Sequence, residues 1–394
     1  MRDEDLSPGS AIDRAWMQRC LSLAKQGEGC TAPNPLVGSV VVAPDTQTLL
    51  GEGFHPQAGQ PHAEIFALRA AGATANGATL YVNLEPCNHY GRTPPCTEAI
   101  VKAGIRRVVV GMVDPDPRVS GSGIDRLRQA GLTVEVGVEQ VSCEQLNEAF
   151  VHRIQHQRPF GIWKYAMTLD GKIATTTGHS AWVTGTAART AVHQLRAICD
   201  AVIVGGHTVR RDNPHLTTHG ICSTQRIGRE PLRVVMSRSL DLPLNAHLWD
   251  VSLAPTVIFT EKIALEMNND RFRQWNDRGV EVVGLAHLTP IAVLGELYQR
   301  GLVSVLWECG GVLAAEALKT GCIQKVWAFI APKFIGGATA PSPLGDLGLD
   351  RMDEAIVLDN LTPFWFEGDL CLQGYVLGFP NNESGDQCRR SKYQ

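Results

Sequence analysis

Apolar positions along this chain follow two rhythms, one with the spacing of a helix and one with that of a short buried strand. From Ala11 to Gln26 they recur every three to four residues, which predicts an amphipathic helix. Leu36 to Ala43 (LVGSVVVA) and Thr79 to Leu84 (TLYVNL) are short apolar runs rich in β-branched residues and predict buried strands. Helical spacing returns at Ala63 to Ala71 and at Thr97 to Ala103. Arg107 to Val113 and Leu132 to Val138 then predict two further strands, with a helix from Gly123 to Ala130 between them. A strand, helix, strand crossover implies parallel pairing in a sheet covered on both faces, so the first 150 residues are expected to form a three-layer α/β domain. Gly121-Ser122-Gly123 is taken as a turn, because Arg126 stands where a dinucleotide-binding loop needs its third glycine.

Val151 to Pro159 is polar and ends in proline, which suits a linker or a terminal helix turn. Beyond it the α/β pattern resumes. Strands are expected at Phe160 to Thr168, Ala201 to Gly205, Leu232 to Met236, Thr256 to Thr260, Val280 to Val283, Ser304 to Glu308, Lys325 to Ile330 and Leu370 to Val376, with helices at Ala187 to Ala197 and Val312 to Thr320. Nothing repeats at a fixed period. A chain of 394 residues exceeds what one core serves. The expected division is therefore a flexible N-terminus (1–10), a first domain (11–150), a linker (151–159), a second domain (160–378) and a polar tail (379–394).

Hydrophobic content of 44% with 19% charged residues is ordinary for a globular protein. The net charge of −4 offers no footprint for nucleic acid or an anionic membrane. Eleven cysteines, an odd number without a framework of spacings, suit a reducing compartment. No leader pattern and no long apolar run is seen, so the expected location is the cytoplasm.

Chemistry concentrates at His62-Ala63-Glu64 and in the block from Glu85 to Cys96. His62, Cys87 and Cys96 make three borderline or soft ligands, and Zn²⁺ held by three protein ligands keeps a fourth position for water. Such water ionises near pH ~7 and can attack a ring carbon that bears an amino group. Glu64 lies two positions after His62, better placed beside the metal than on it, and suits a proton shuttle. Prolines before Cys87 and Cys96 suit turns into helix N-termini, where partial positive charge favours thiolate. The pattern resembles the H-x-E and P-C-x-x-C signature of zinc deaminases, but eight residues separate the two cysteines. Two plainer readings remain open: a closed structural zinc site with a fourth ligand such as His89, or ordinary buried thiols. A structural site has no use for Glu64 at that spacing.

Further motifs extend the likeness: Pro33-Asn34-Pro35-Leu36-Val37-Gly38 in the first half, and in the second Leu169-Asp170-Gly171-Lys172, Trp182-Val183-Thr184, Asp212-Asn213-Pro214 with Leu216-Thr217, and Pro332 to Gly337. Over residues 11 to 378 the chain resembles the bifunctional riboflavin-biosynthesis deaminase/reductase family. The resemblance implies a cytidine-deaminase-like three-layer domain followed by a dihydrofolate-reductase-like domain. It implies Zn²⁺ and NADPH as cofactors and a small phosphorylated pyrimidine as substrate, with no nucleic-acid or membrane partner and a homo-oligomeric assembly. The first domain would remove the 2-amino group of 2,5-diamino-6-(5-phosphoribosylamino)pyrimidin-4(3H)-one. The second would reduce the ribosyl group, giving 5-amino-6-(5-phosphoribitylamino)uracil.

Residue roles follow from the same likeness. Asn34 would pair with the pyrimidine edge, and His89 and Arg92 with the ribose phosphate. As plain alternatives, Asn34 is a turn residue and Arg92 a solvated charge. Gly310, Gly311, Val312, Leu313, Ala314, Ala315 and Glu316 would meet NADPH at a helix start, together with Ala166, Trp182, Thr208 and Asp212. Ser180, Arg196, Leu216, His219 and Glu308 match substrate positions, and Lys164 is a candidate for local charge or proton supply, or a surface lysine. Two departures stand out. His219 replaces a usual Arg, a titratable cation for a permanent one. Ser237-Arg238 replaces a usual Asp and hydroxyl pair after Met236, and Arg238 is a candidate for the extra phosphate of NADPH. They leave open a deaminase whose second domain is degenerate and serves assembly. A reductase with a structural zinc module is a third reading.

Overall fold

A computed structural model describes residues 9–377 apart from 46, 91–93 and 220–229. The chain divides into two compact units, Met1–Arg158 and Pro159–Gln394. The expected flexible N-terminus and polar tail fall almost wholly outside the described residues, as does Arg92. Gly9 and Ser10 are the exceptions: the Ser10 hydroxyl accepts the Asp13 N–H at 3.1 Å and caps the helix Ala11–Ala24, satisfying an orphan donor.

In the first unit five strands, β1 (Gly38–Val42), β2 (Leu49–Phe54), β3 (Thr79–Leu84), β4 (Arg107–Met112) and β5 (Thr133–Val136), lie in the order β2-β1-β3-β4-β5. β3, β4 and β5 are parallel, while β1 runs antiparallel to both its neighbours. Alternate residues serve opposite layers. Val40, Val42, Tyr81 and Val109 pack with Met17, Cys20 and Leu21 of the first helix. Val41, Leu80, Val82, Val108 and Val110 pack instead with Ala67, Ala71, Ile100 and Leu127. Burial on both faces is why these strands read as unbroken apolar runs.

β2 escaped the sequence pattern because its glycines dilute it, yet packing requires them. A Cβ on Gly53 would lie 2.3 Å from Phe66 Cβ, and one on Gly51 would lie 2.4 Å from the Ala67 carbonyl, so the helix Ala63–Ala71 rests directly on this strand. The expected linker is mostly helix: Glu148–His156 continues the first unit. Its anchor is Asn147, which accepts the Leu36 N–H at 2.8 Å and donates to the Leu36 carbonyl at 3.0 Å, and Val151 packs on the core.

The second unit holds β6 (Phe160–Thr168), β7 (Ala201–Gly205), β8 (Leu232–Met236), β9 (Thr256–Glu261), β10 (Glu281–Leu285), β11 (Ser304–Trp307), β12 (Lys325–Ala331), β13 (Leu358–Phe366) and β14 (Asp369–Val376). Their order is β10-β9-β8-β7-β11-β6-β12-β14-β13, parallel from β10 through β12 and antiparallel over β14 and β13. β13 was not expected. It is an edge strand with most residues exposed and Pro363 within it, so no buried face left an apolar alternation to read. The switch in strand order puts β11 between β6 and β7, and loops beyond the C-terminal ends of such strands are where ligands bind in open α/β sheets. Among the described residues no helix is long and apolar enough to cross a membrane.

Candidate active sites

His62 precedes the first turn of helix Ala63–Ala71, Cys96 opens helix Cys96–Lys102, and Cys87 lies in the loop after β3. Their ligand atoms all lie within 4.8 Å of one another. His62 Nδ1 is 3.5 Å from Cys87 Sγ and 3.3 Å from Cys96 Sγ. The Cys96 N–H donates to Cys87 Sγ at 3.4 Å, a helix-terminal donor stabilising a thiolate. Hydrogen bonding from Cys96 and from His62 outweighs burial and brings Cys87 down to about 4, while the Cys87 sulfur and burial push Cys96 up. A dication would favour thiolate at both. Glu64 is 3% exposed and its Oε2 has no hydrogen-bond partner. Burial and the neighbouring Cys87 sulfur push its carboxyl up to about 6. One imidazole, two thiols and a buried carboxylate oxygen short of a partner fit a zinc ion with a proton-handling group beside it. His89 is exposed and stands outside the ligand group, so among the described residues the closed four-ligand site lacks its fourth member.

Asn34 reaches the same centre through a residue that the sequence did not flag. Asn34 Nδ2 lies 3.0 Å from His55 Nε2, and His55 Nδ1 lies 3.0 Å from the Pro61 carbonyl. A carbonyl only accepts, so Nδ1 carries the proton, Nε2 accepts, and the Asn34 amide nitrogen points at His55. His55 is 2% exposed, and its ring stands edge-on to His62 with centroids 5.5 Å apart. It follows β2, the strand that glycines hid. Glu85 was likewise missed as a structural anchor: its carboxylate accepts the N–H groups of Asp114, Gly121, Gly123 and Ile124 at 2.8 to 3.2 Å, seating the turn at Gly121 against the Cys87 loop. A Cβ on Gly123 would stand 2.1 Å from the Pro86 carbonyl, which explains that glycine as packing.

In the second unit the register pairs Trp307 of β11 with Trp163 of β6, so Glu308 and Lys164 emerge side by side. Arg196, from helix Thr186–Ile198, grips Glu308 through Nε (2.5 Å) and Nη2 (3.0 Å), and Lys164 Nζ lies 3.6 Å away. Burial raises the Glu308 carboxyl, but the two cations prevail and leave it at about 2. Burial pulls Lys164 down against the pull of Glu308. Arg196 Nη1 also donates to the Thr217 carbonyl at 3.0 Å and lies 3.4 Å from His193 Nδ1. Its fork is spent on Glu308, so it serves the expected substrate position by holding that carboxylate.

Two family models match the chain. Residues 10–112 match the cytidine and deoxycytidylate deaminase zinc-binding region, and residues 159–361 match the RibD C-terminal domain. The riboflavin biosynthesis protein RibD of Synechocystis sp. is 59% identical over 94% of this chain and 98% of its own. The protein of the same name from Aquifex aeolicus is 41% identical over 88% and 93%. The solved Acinetobacter baumannii RibD superposes with a TM-score of 0.82 at 38% identity, covering 93% of this chain and 99% of that one. The chain belongs to the bifunctional RibD deaminase/reductase family. It is a zinc-dependent deaminase and a reductase of riboflavin biosynthesis acting on a small phosphorylated pyrimidine, and both single-activity alternatives fall. A Thermotoga maritima structure described as a diaminohydroxyphosphoribosylaminopyrimidine deaminase and 5-amino-6-(5-phosphoribosylamino)uracil reductase agrees, with a TM-score of 0.78 and 34% identity over 93% of this chain and 99% of that one.

The remaining RibD-like positions gather at the C-terminal edge of the parallel strands. Gly310 caps helix Gly311–Lys319, and a Cβ on Gly311 would stand 2.8 Å from the Gly345 nitrogen, so glycine lets the helix begin there. Val312 (86% exposed) and Glu316 face solvent, whereas Ala314 and Ala315 are buried and Leu313 packs on the core, so those three hold the helix in place. Open space beside Gly310 and backbone donors at this helix start fit a phosphate group of NADPH. Thr208 and Asp212 lie on helix Gly206–Asp212 after β7, Ala166 is half-buried on β6, and Ser180 and Trp182 are exposed in the loop before helix Thr186–Ile198. Leu216 is buried, while His219 is exposed with its ring 4.5 Å from His193 and 6.1 Å from His215. Ser237 is buried, and its N–H donates to the Phe259 carbonyl at 3.0 Å. Arg238 is 78% exposed and lies 3.6 Å from Glu261. Spacing of three residues on one helix face is the signal that links His193 to Arg196.

Proposed function

We propose that residues 11–150 carry the deamination and residues 160–378 the reduction, and that His62, Cys87 and Cys96 hold the zinc. When bound, that ion supplies an activated water nucleophile. Glu64 takes a proton from the water as the water oxygen bonds to the ring carbon and passes it to the ring nitrogen, then carries the hydroxyl proton to the amine, so the carbon–nitrogen bond breaks, a carbonyl forms and ammonia leaves. A buried carboxylate oxygen without a partner beside the donor triad is placed to accept and return a proton. Asn34, oriented by His55, reads the pyrimidine edge, while His89 and Arg92 meet the ribose phosphate. The main support is the triad of donor atoms with an unpartnered, buried Glu64 oxygen beside it.

NADPH supplies the hydride for the second step. Gly310, Gly311, Val312 and Glu316, with Ala166, Trp182, Thr208 and Asp212, line its place, while Leu313, Ala314 and Ala315 anchor the helix from the core side. Glu308, held ionised by Arg196 and Lys164, accepts hydrogen bonds from the sugar hydroxyls, and Lys164 beside it is a candidate proton source. Ser180, Leu216 and His219 complete the substrate side, with Arg196 orienting Glu308. The enzyme acts in the cytoplasm as a homo-oligomer. Dialysis against a chelator tests the division of labour: it should remove one zinc per chain and abolish ammonia release, while the deaminated intermediate is still reduced. Loss of both activities from a folded protein would contradict it.

A further inference from the structure

The loop 175–185 carries Ser180 and Trp182, and charged side chains from four elements tie down its backbone. Arg211, on helix Gly206–Asp212, donates to the Thr177 carbonyl at 2.8 Å. Lys333, beyond β12, donates to the carbonyls of Trp182 (3.1 Å) and Val183 (2.9 Å). Arg189, on helix Thr186–Ile198, donates to the Thr184 carbonyl (2.8 Å) and to Thr186 Oγ1 (3.0 Å). Asp369, buried at the start of β14, accepts the Gly185 N–H at 2.6 Å. Each tie gives up rotamer freedom in a long or buried side chain. The ring they surround is nevertheless 69% exposed. An indole that stays in solvent contributes little to folding, so ordering its loop this heavily makes sense as preparation for a ligand.

Arg189 differs from the other ties. Its guanidinium carbon lies 4.4 Å from the centroid of the Trp182 ring, so the same side chain fixes the turn at Thr184 and covers one face of the indole. With its donors committed to Thr184 and Thr186, the guanidinium plane is set, and the stacked ring is set with it. A flat ring arriving on the opposite face meets a π surface already in place.

We propose that Arg189 is a positioning residue for the cofactor, holding the Trp182 indole as a platform for a flat ring of NADPH. Arg189 acts through Trp182 and does not itself touch the cofactor. The proposal rests on Trp182 being a cofactor contact, as argued above.

The test is NADPH affinity of the full-length, zinc-loaded chain, measured calorimetrically for R189A, R189K, W182A and the double variant R189A/W182A. Thermal midpoint and zinc content serve as controls for folding. R189A should raise the Kd roughly 5- to 10-fold, the cost of ordering the platform only when ligand arrives. R189K should fall between R189A and the parent, because lysine keeps the charge and loses the planar fork. The double variant should bind no worse than W182A alone, since a residue acting through Trp182 has nothing left to act on. A purely structural role would lower the thermal midpoint without this non-additivity. An unchanged Kd in R189A, or effects that add in the double variant, would overturn the proposal and leave Trp182 as a cofactor contact. An unchanged Kd in W182A would overturn the assignment of Trp182 and the proposal together. Should R189A fail to fold, R189Q and R189K carry the same cycle.

Discussion

Replacing Glu308 by Gln removes the carboxylate that two buried cations share. Arg196 and Glu308 are 11% and 10% exposed and Lys164 is 18% exposed, so water screens the loss poorly. The Glu308 carboxyl sits at about 2 instead of 4.5, a displacement that corresponds to about 3 kcal/mol of stability. Breaking a buried ion pair from one side costs ~3–5 kcal/mol by an independent route, and the two figures agree. The sign follows from a lowered folded-state pKa: the contribution is complete above pH 4.5 and is lost as pH falls from 4.5 towards 2. Urea unfolding at pH 7 followed by tryptophan fluorescence is the suitable assay. Of the eight tryptophans only Trp16 lies outside Pro159–Gln394, so the signal reports the reductase unit. E308Q should move the midpoint down by about 1 M urea, and the gap between parent and variant should close as pH is lowered through that window. Reduction should be lost and ammonia release retained. A midpoint within ~0.2 M of the parent would mean that the three charges are solvated and do not stabilise one another.

Three further outcomes are expected. E64Q should keep its zinc by elemental analysis and lose about 10²-fold or more in deamination, because the ligands remain and only proton transfer goes; full activity with bound metal would reject Glu64 as the shuttle. H219R should lower the reductase KM at pH 7, since a guanidinium brings a permanent charge and a planar fork of donors to a phosphate; an unchanged KM would assign His219 to the surface. D13A should lower the temperature at which ammonia release is lost and spare reduction. Asp13 is buried, accepts from Arg107 (2.8 Å) and Tyr81 (2.9 Å), and caps the first helix, so its removal should cost about 2–4 kcal/mol in the first unit alone.

The cluster of His62, Cys87 and Cys96 was legible because it is written in residue types that have few other uses, and the structure brings their ligand atoms within 4.8 Å of one another. The parallel strands were legible for a related reason, since burial on both faces leaves continuous apolar runs such as Val40 to Val42. What stayed hidden was set by close approach or by the edge of a sheet. Gly51 and Gly53 are required by helix Ala63–Ala71 but read as breakers, and concealing β2 concealed His55 after it. β13 has no buried face to advertise. The helix Pro290–Gln299 carries Val293, Leu294 and Leu297 into the core and was left unassigned, although Thr289 caps it and Pro290 opens it. On the reductase side the family likeness named Glu308, Arg196 and Lys164, but only the register of β11 against β6 brings them together as one ion cluster, and that register depends on residues far apart in sequence.

Two chemistries in one chain should be separable by disabling one site and supplying the intermediate to the other. The decisive measurement supplies the diaminopyrimidine phosphate to the purified, zinc-loaded protein and follows ammonia and NADPH together, with and without NADPH present, for the parent and for C96S. In the parent, ammonia should appear in either case, and NADPH should be oxidised in step with it. C96S should release no ammonia and oxidise no NADPH from that substrate, yet oxidise NADPH when given the deaminated intermediate. Ammonia release from C96S at the parental rate, or failure of folded C96S to reduce the supplied intermediate, would contradict the account.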